Sequence, residues 1–135
     1  MSIQKKETFA ALINEVDLRV IDRSAIEKLL ALDDDQKNSV LMEFSQVFFR
    51  TTLKRLENLQ QAVKGRNAEV LHHEAHSLKS SCAYMGAVTM ESICIHLEKV
   101  SKEDPLPDVS TMVLNLENEF KKVKETLENV FYETV

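Results

Sequence analysis

Between His72 and Ala87 the chain reads "HHEAHSLKSSCAYMGA", which sets three histidines, a lysine, serines and a cysteine within little more than four helical turns. At about 100° per residue, Leu71, Ala75, Leu78, Cys82 and Met85 fall within roughly 40° of one direction and form an apolar stripe. His76 lies about 140° from Leu71 by the same arithmetic and faces away from that stripe. His72 precedes it by one turn, Lys79 and Ser80 follow it by one turn, and Ala83 follows by two. A surface kept only for solubility would more often carry Glu, Lys or Gln there. Small residues let another body come close to the imidazole. A neutral imidazole is a nucleophile that can form a covalent intermediate. Lys79 can place a compact cation beside whatever His76 carries, and a phosphoryl group suits such a point charge.

The elements that must hold this stretch are helices. Only two Gly and two Pro occur in 135 residues, too few for the frequent turns of an all-β fold. The length suits one domain, 1–135. Residues 1–20, with Phe9, Leu12, Ile13 and Val16 at helical spacing, are predicted to form an N-terminal helical extension. Ser24 and Glu27 read as a capping box opening a short helix that ends near the acidic run at 33–35. A long helix is predicted from about Gln36 to Val63, with Leu41, Phe44, Phe48, Phe49, Leu53, Leu56 and Leu59 as its apolar band and Gly65 as its stop. Asn67 caps the next helix, which ends at Gly86. A fourth follows with Met90, Ile93, Cys94, Leu97 and Val100 on one face, broken by "EDPLPD". The last runs from about Val109 to Phe131. Its apolar positions Val109, Val113, Leu116, Phe120, Val123, Leu127 and Val130 alternate steps of four and three, as a bundle seam requires. The predicted fold is all-α: an antiparallel four-helix bundle over 36–131 with one or two short N-terminal helices.

Charge and composition exclude several functions. The net charge is −5 and basic residues are interleaved with acids, so no basic stripe for nucleic acid exists. No apolar run is long enough to span a membrane, and no secretory signal is visible, so a cytoplasmic location is expected. Cys82 and Cys94 both fall on core faces and read as packing residues. His96 reads as surface. His72 and His76 stand four apart, a spacing that can chelate zinc, but the two cysteines lie on the core while His76 does not, so no metal site is expected.

The segment "AHSLKSSCAYMGA", Ala75 to Ala87, resembles the signature of histidine phosphotransfer (HPt) domains. The alanine before the His, the Leu and Lys two and three after it, and the closing Gly-Ala all match. The similarity extends to "AIEKLLAL", "RLENLQQAVKGRNAE" and "LEKVSK". The resemblance implies a phosphocarrier of a multistep phosphorelay. In it His76 would take a phosphoryl group from a receiver-domain aspartate of a hybrid sensor kinase and pass it to that of a response regulator. Lys79 and Ser80 would stabilise the phosphoryl group, and His72, Ala83 and Gly86 would serve docking and clearance. The docking surface would include the second helix and the short first one. Where the family usually has Gly, this chain has Ser80. Gly inside a helix costs about 0.5–1 kcal/mol, so the family needs the clearance; Ser80 remains small and can donate to a phosphoryl oxygen. The resemblance further implies no ATP site and no cofactor, with magnesium belonging to the receiver. The start Met and single exposed His lead to the expectation of a free-standing monomer. An HPt-like fold whose His no longer turns over is the rival expectation.

Overall fold

The computed structural model of the chain describes residues 20–32 and 39–134. Five helices occur there: α1 (Arg23–Ala31), α2 (Ser39–Lys64), α3 (Ala68–Met85), α4 (Val88–Val100) and α5 (Ser110–Thr134). Among the described residues there is no strand. The predicted helix before residue 20 and the predicted start of α2 at Gln36 lie outside the described residues.

Helices α2 to α5 pack in a closed ring of neighbours, each against the next and α5 back against α2, while α1 lies against α2 and α3. Cross-helix pairs set the directions. Phe44 meets Tyr84 and Arg55 meets Glu74, so α2 and α3 are antiparallel. His72 meets Ser101 and His76 meets Glu98, so α3 and α4 are too. Gln60 meets Glu117 and Phe49 meets Lys124, which makes α5 antiparallel to α2. This is the four-helix bundle expected from the helical periods.

The seam of α5 is as predicted: all seven apolar positions from Val109 to Val130 are buried. So are Leu71, Ala75, Leu78, Cys82 and Met85 of α3. Burying a leucine such as Leu71 or Leu78 contributes about 1.5–3 kcal/mol. In α2 the predicted apolar band is corrected. Leu53 is 52% exposed and Phe44 is 38% exposed, whereas Ser45 and Thr52 are fully buried. The cause is angular: relative to Leu41, Ser45 and Thr52 sit about 40° and 20° away, but Leu53 sits about 120° away. Position on the helix overrides residue type. Phe44, about 60° off by the same arithmetic, reaches Tyr84 at the bundle edge with ring centroids 5.2 Å apart.

Two helix ends also differ from expectation. Asp22, not Ser24, caps α1: its Oδ1 accepts the Ser24 N–H at 3.0 Å and the Ser24 hydroxyl at 2.9 Å. The Asp22 N–H is bound at the same time to the Gly86 carbonyl oxygen at 2.6 Å, which anchors the boundary one residue before the helix. At the end of α2, the left-handed residue is Arg66 (φ 50°), one place beyond Gly65. The Asn67 N–H bonds back to Ala62 O at 2.9 Å and the Arg66 N–H to Val63 O at 3.2 Å, a Schellman closure.

Both ends of α3 are as predicted. Asn67 Oδ1 accepts the Val70 N–H at 3.1 Å, and Gly86 ends the helix at φ 74°. Gly86 is needed twice there. Its φ is left-handed, and a Cβ would stand 2.7 Å from Ala25 Cβ and 2.9 Å from Asp22 O. The turn Gly86–Ala87 therefore joins α3 to α4 tightly and lets α1 lie directly against it.

Candidate functional site

The exposed side of α3 carries His76, whose side chain is 59% exposed. Ser80 and Ala83 are exposed along the same strip, and Lys79 is half-buried beside it. His72 is half-buried one turn earlier, its ring nearly parallel to that of His76 with centroids 6.3 Å apart. His73 and His96 are exposed. Gly86 is buried, and its clearance is taken up by Asp22 and Ala25 of this same chain.

One residue joins the cluster that the sequence reading missed. Glu98 of α4 places Oε1 2.9 Å from His76 Nδ1 and Oε2 2.8 Å from Lys79 Nζ. The Lys79 ammonium first, and then the His76 hydrogen bond, hold the Glu98 carboxyl down to about 2, against an ordinary value of 4.5. It is therefore ionised at neutral pH and can only accept hydrogen bonds. His76 Nδ1 must carry the hydrogen in this pair. In the neutral ring the lone pair is then on Nε2, which has no hydrogen-bond partner among the described residues. The arrangement presents a nucleophilic nitrogen to solvent and fixes its tautomer from behind.

The signal for Glu98 was present but needed the turn. Residues equally far from a tight antiparallel turn stand opposite one another, and His76 and Glu98 lie equally far before and after Ala87. Behind Glu98, Ser101 donates its hydroxyl to the Glu98 carbonyl oxygen at 2.7 Å. His72 Nδ1 makes 3.4 Å contacts with that same oxygen and with Ser101 Oγ.

The other chemistry-bearing residues lie elsewhere. Cys82 and Cys94 are free and fully buried. The hydrogen bond to Cys94, then burial, pushes the Cys82 thiol upward, so it stays a protonated packing group. Among the described residues no group of three or more His, Cys, Asp or Glu is placed to hold a metal ion. None of the described helices is long and apolar enough to cross a membrane. Glu74, also missed from sequence, is buried on the α2 side and pairs with Arg55 at 3.0 Å.

An all-helical bundle with one exposed, carboxylate-held histidine followed by a lysine defines a class, and the comparisons with known proteins agree with it. Residues 43–129 match the Hpt domain family. The multistep phosphorelay regulator 1 of Schizosaccharomyces pombe is 25% identical over 129 residues, covering 87% of this chain and 44% of that protein. The chain thus spans less than half the length of this relative. The crystal structure of histidine-containing phosphotransfer protein B from Pseudomonas aeruginosa superposes with a TM-score of 0.71 at 25% identity, covering 82% of this chain and 92% of that one. The chain belongs to the Hpt domain family. Domains of this family are phosphocarriers rather than kinases, and they interact with receiver domains.

Proposed function

We propose that His76 is the phosphoacceptor. Its Nε2 takes a phosphoryl group from the aspartyl phosphate of a hybrid kinase's receiver domain and yields it to the aspartate of a response regulator's receiver. The observation that carries this reading is the exposed imidazole whose Nδ1–H is engaged by Glu98, leaving Nε2 outward and unpartnered among the described residues. Lys79 offsets charge on the phosphoryl group, and Ser80 donates to one of its oxygens, since both follow His76 by one turn. His72 and Ala83 border the docking surface on the same side of α3. Gly86 contributes by letting α1 close against the α3–α4 turn, which brings α1 into that surface. This chain then needs no ATP site and no cofactor of its own. Magnesium belongs to the partner's acidic pocket. In this reading the domain works as a cytoplasmic monomer.

The test is transfer from a radiolabelled, phosphorylated receiver domain. The expected product is a phosphoprotein whose label is lost in acid, kept in alkali and passed to a second receiver. A receiver that docks without labelling the chain would make this an interaction module instead.

A further inference from the structure

Resting on that reading, one feature of the site goes beyond it: the carboxylate sits on the nitrogen that does not receive the phosphoryl group. We infer that Glu98 keeps the Nδ1 proton on His76 after phosphorylation, so that the carrier state is a phosphoimidazolium ion-paired with a carboxylate.

The electron count requires a choice at this nitrogen. When the Nε2 lone pair forms the N–P bond, the P–O bond of the aspartyl phosphate breaks and its electron pair leaves on the aspartate oxygen. The ring, which began neutral with hydrogen on Nδ1, becomes a cation still carrying that hydrogen. It can keep the proton or release it to water. A neutral phosphoimidazole is the poorer donor, because breaking its N–P bond would push out an imidazolate. A protonated ring leaves as neutral imidazole. Onward transfer then returns the bond's electron pair to Nε2, and no proton has moved at any step.

The structure favours retention. Glu98 Oε1 lies 2.9 Å from Nδ1, in line to take a charge-assisted hydrogen bond from the cationic ring. The Lys79 ammonium holds the other oxygen at 2.8 Å and keeps the carboxyl ionised. Among the described residues, titratable groups flank the ring from two helices. On α3 these are His72, stacked one turn back, His73 to the side, and Lys79. From α4 there is Glu98. On the α2 side Arg55 is engaged by Glu74. Among the described residues the anion hydrogen-bonded to the ring is Glu98, and the bond is to Nδ1.

Glu98→Gln separates charge from position, because the amide oxygen can still accept from Nδ1. The experiment labels the 15N-histidine protein with phosphoramidate, a small phosphodonor, and follows the phospho-His76 ring nitrogens by NMR against pH. In the unsubstituted protein the Nδ1 proton should persist to a pH about one unit higher than in Glu98→Gln, as the loss of one charge-assisted bond implies. Transfer to a receiver at pH 8 should fall about tenfold in the variant. Its rate should also decline with rising pH over the range where the unsubstituted protein is still flat. Identical ring titrations in the two proteins, with His76 labelled in both, would overturn this inference alone. Failure to label His76 in either would overturn the phosphoacceptor reading and this inference with it.

Discussion

Among the described residues, two ion pairs with Arg or Lys tie α3 to its neighbours, and they are nearly alike in geometry. Arg55–Glu74 joins it to α2 at 3.0 Å, with side chains 31% and 9% exposed. Lys79–Glu98 joins it to α4 at 2.8 Å, with side chains 29% and 16% exposed. Distance and burial do not distinguish them. The difference is the second oxygen. Glu98 gives its own to His76, whereas Glu74 has no further partner among the described residues. One pair is therefore a brace, and the other is a brace that also orients a nucleophile. An ion pair's role is read from what else its carboxylate touches.

If this contrast is right, substitutions on the α4 side should move chemistry and those on the α2 side should move stability. The largest effect is expected at the nucleophile itself. His76→Gln should abolish labelling by a phosphorylated receiver with helical circular dichroism unchanged, while His72→Gln and His73→Gln retain most of it. Label persisting in His76→Gln would remove the chemical half of the comparison.

Lys79→Ala comes next. It takes away a positioned charge beside the phosphoryl group and should slow transfer within the receiver complex about a hundredfold, with receiver affinity little changed. Lost affinity at an unchanged transfer rate would reassign Lys79 to docking.

On the other side of the helix, Arg55→Ala leaves the Glu74 carboxylate without its partner. Because Arg55 is about one-third exposed, solvent screens part of the loss, and the expected cost is about 1–2 kcal/mol by urea unfolding. Its transfer rate should match that of the unsubstituted protein. A slowed rate in a fully folded Arg55→Ala protein would erase the distinction between the two pairs.

The smallest effect is in the pH dependence of stability. Lys79 and His76 hold the Glu98 carboxyl down to about 2 in the folded state, below its ordinary 4.5. A depressed carboxylate stabilises the fold above the unfolded value and loses that contribution as pH falls through the folded one. The urea midpoints of the unsubstituted protein and Glu98→Gln should therefore draw together as pH falls from 4.5 toward 2. A gap that instead widened on acidification would mean that Glu98 is protonated in the fold.

The amino-acid sequence alone determined what depends on local periodicity. The α5 seam, the buried face of α3, the outward placement of His76 and the caps Asn67 and Gly86 were all legible, because a helix repeats its faces at a known angle and its ends need particular residues. Where residue type was weighed above angle, as for Leu53 and Ser45, the reading failed although the information was there. The α1 cap was misread as Ser24: Asp22 and Ser24 can both accept an end N–H, and the bond from the Asp22 N–H to the Gly86 carbonyl, across the fold, favours Asp22. The partners of His76, Lys79 and Glu74 were decided only by tertiary structure. Helical periodicity says which way a side chain points but not which residue of the facing helix stands opposite. That register is set by the turn between the helices and the packing behind them, and through it Glu98 came to lie against the nucleophile.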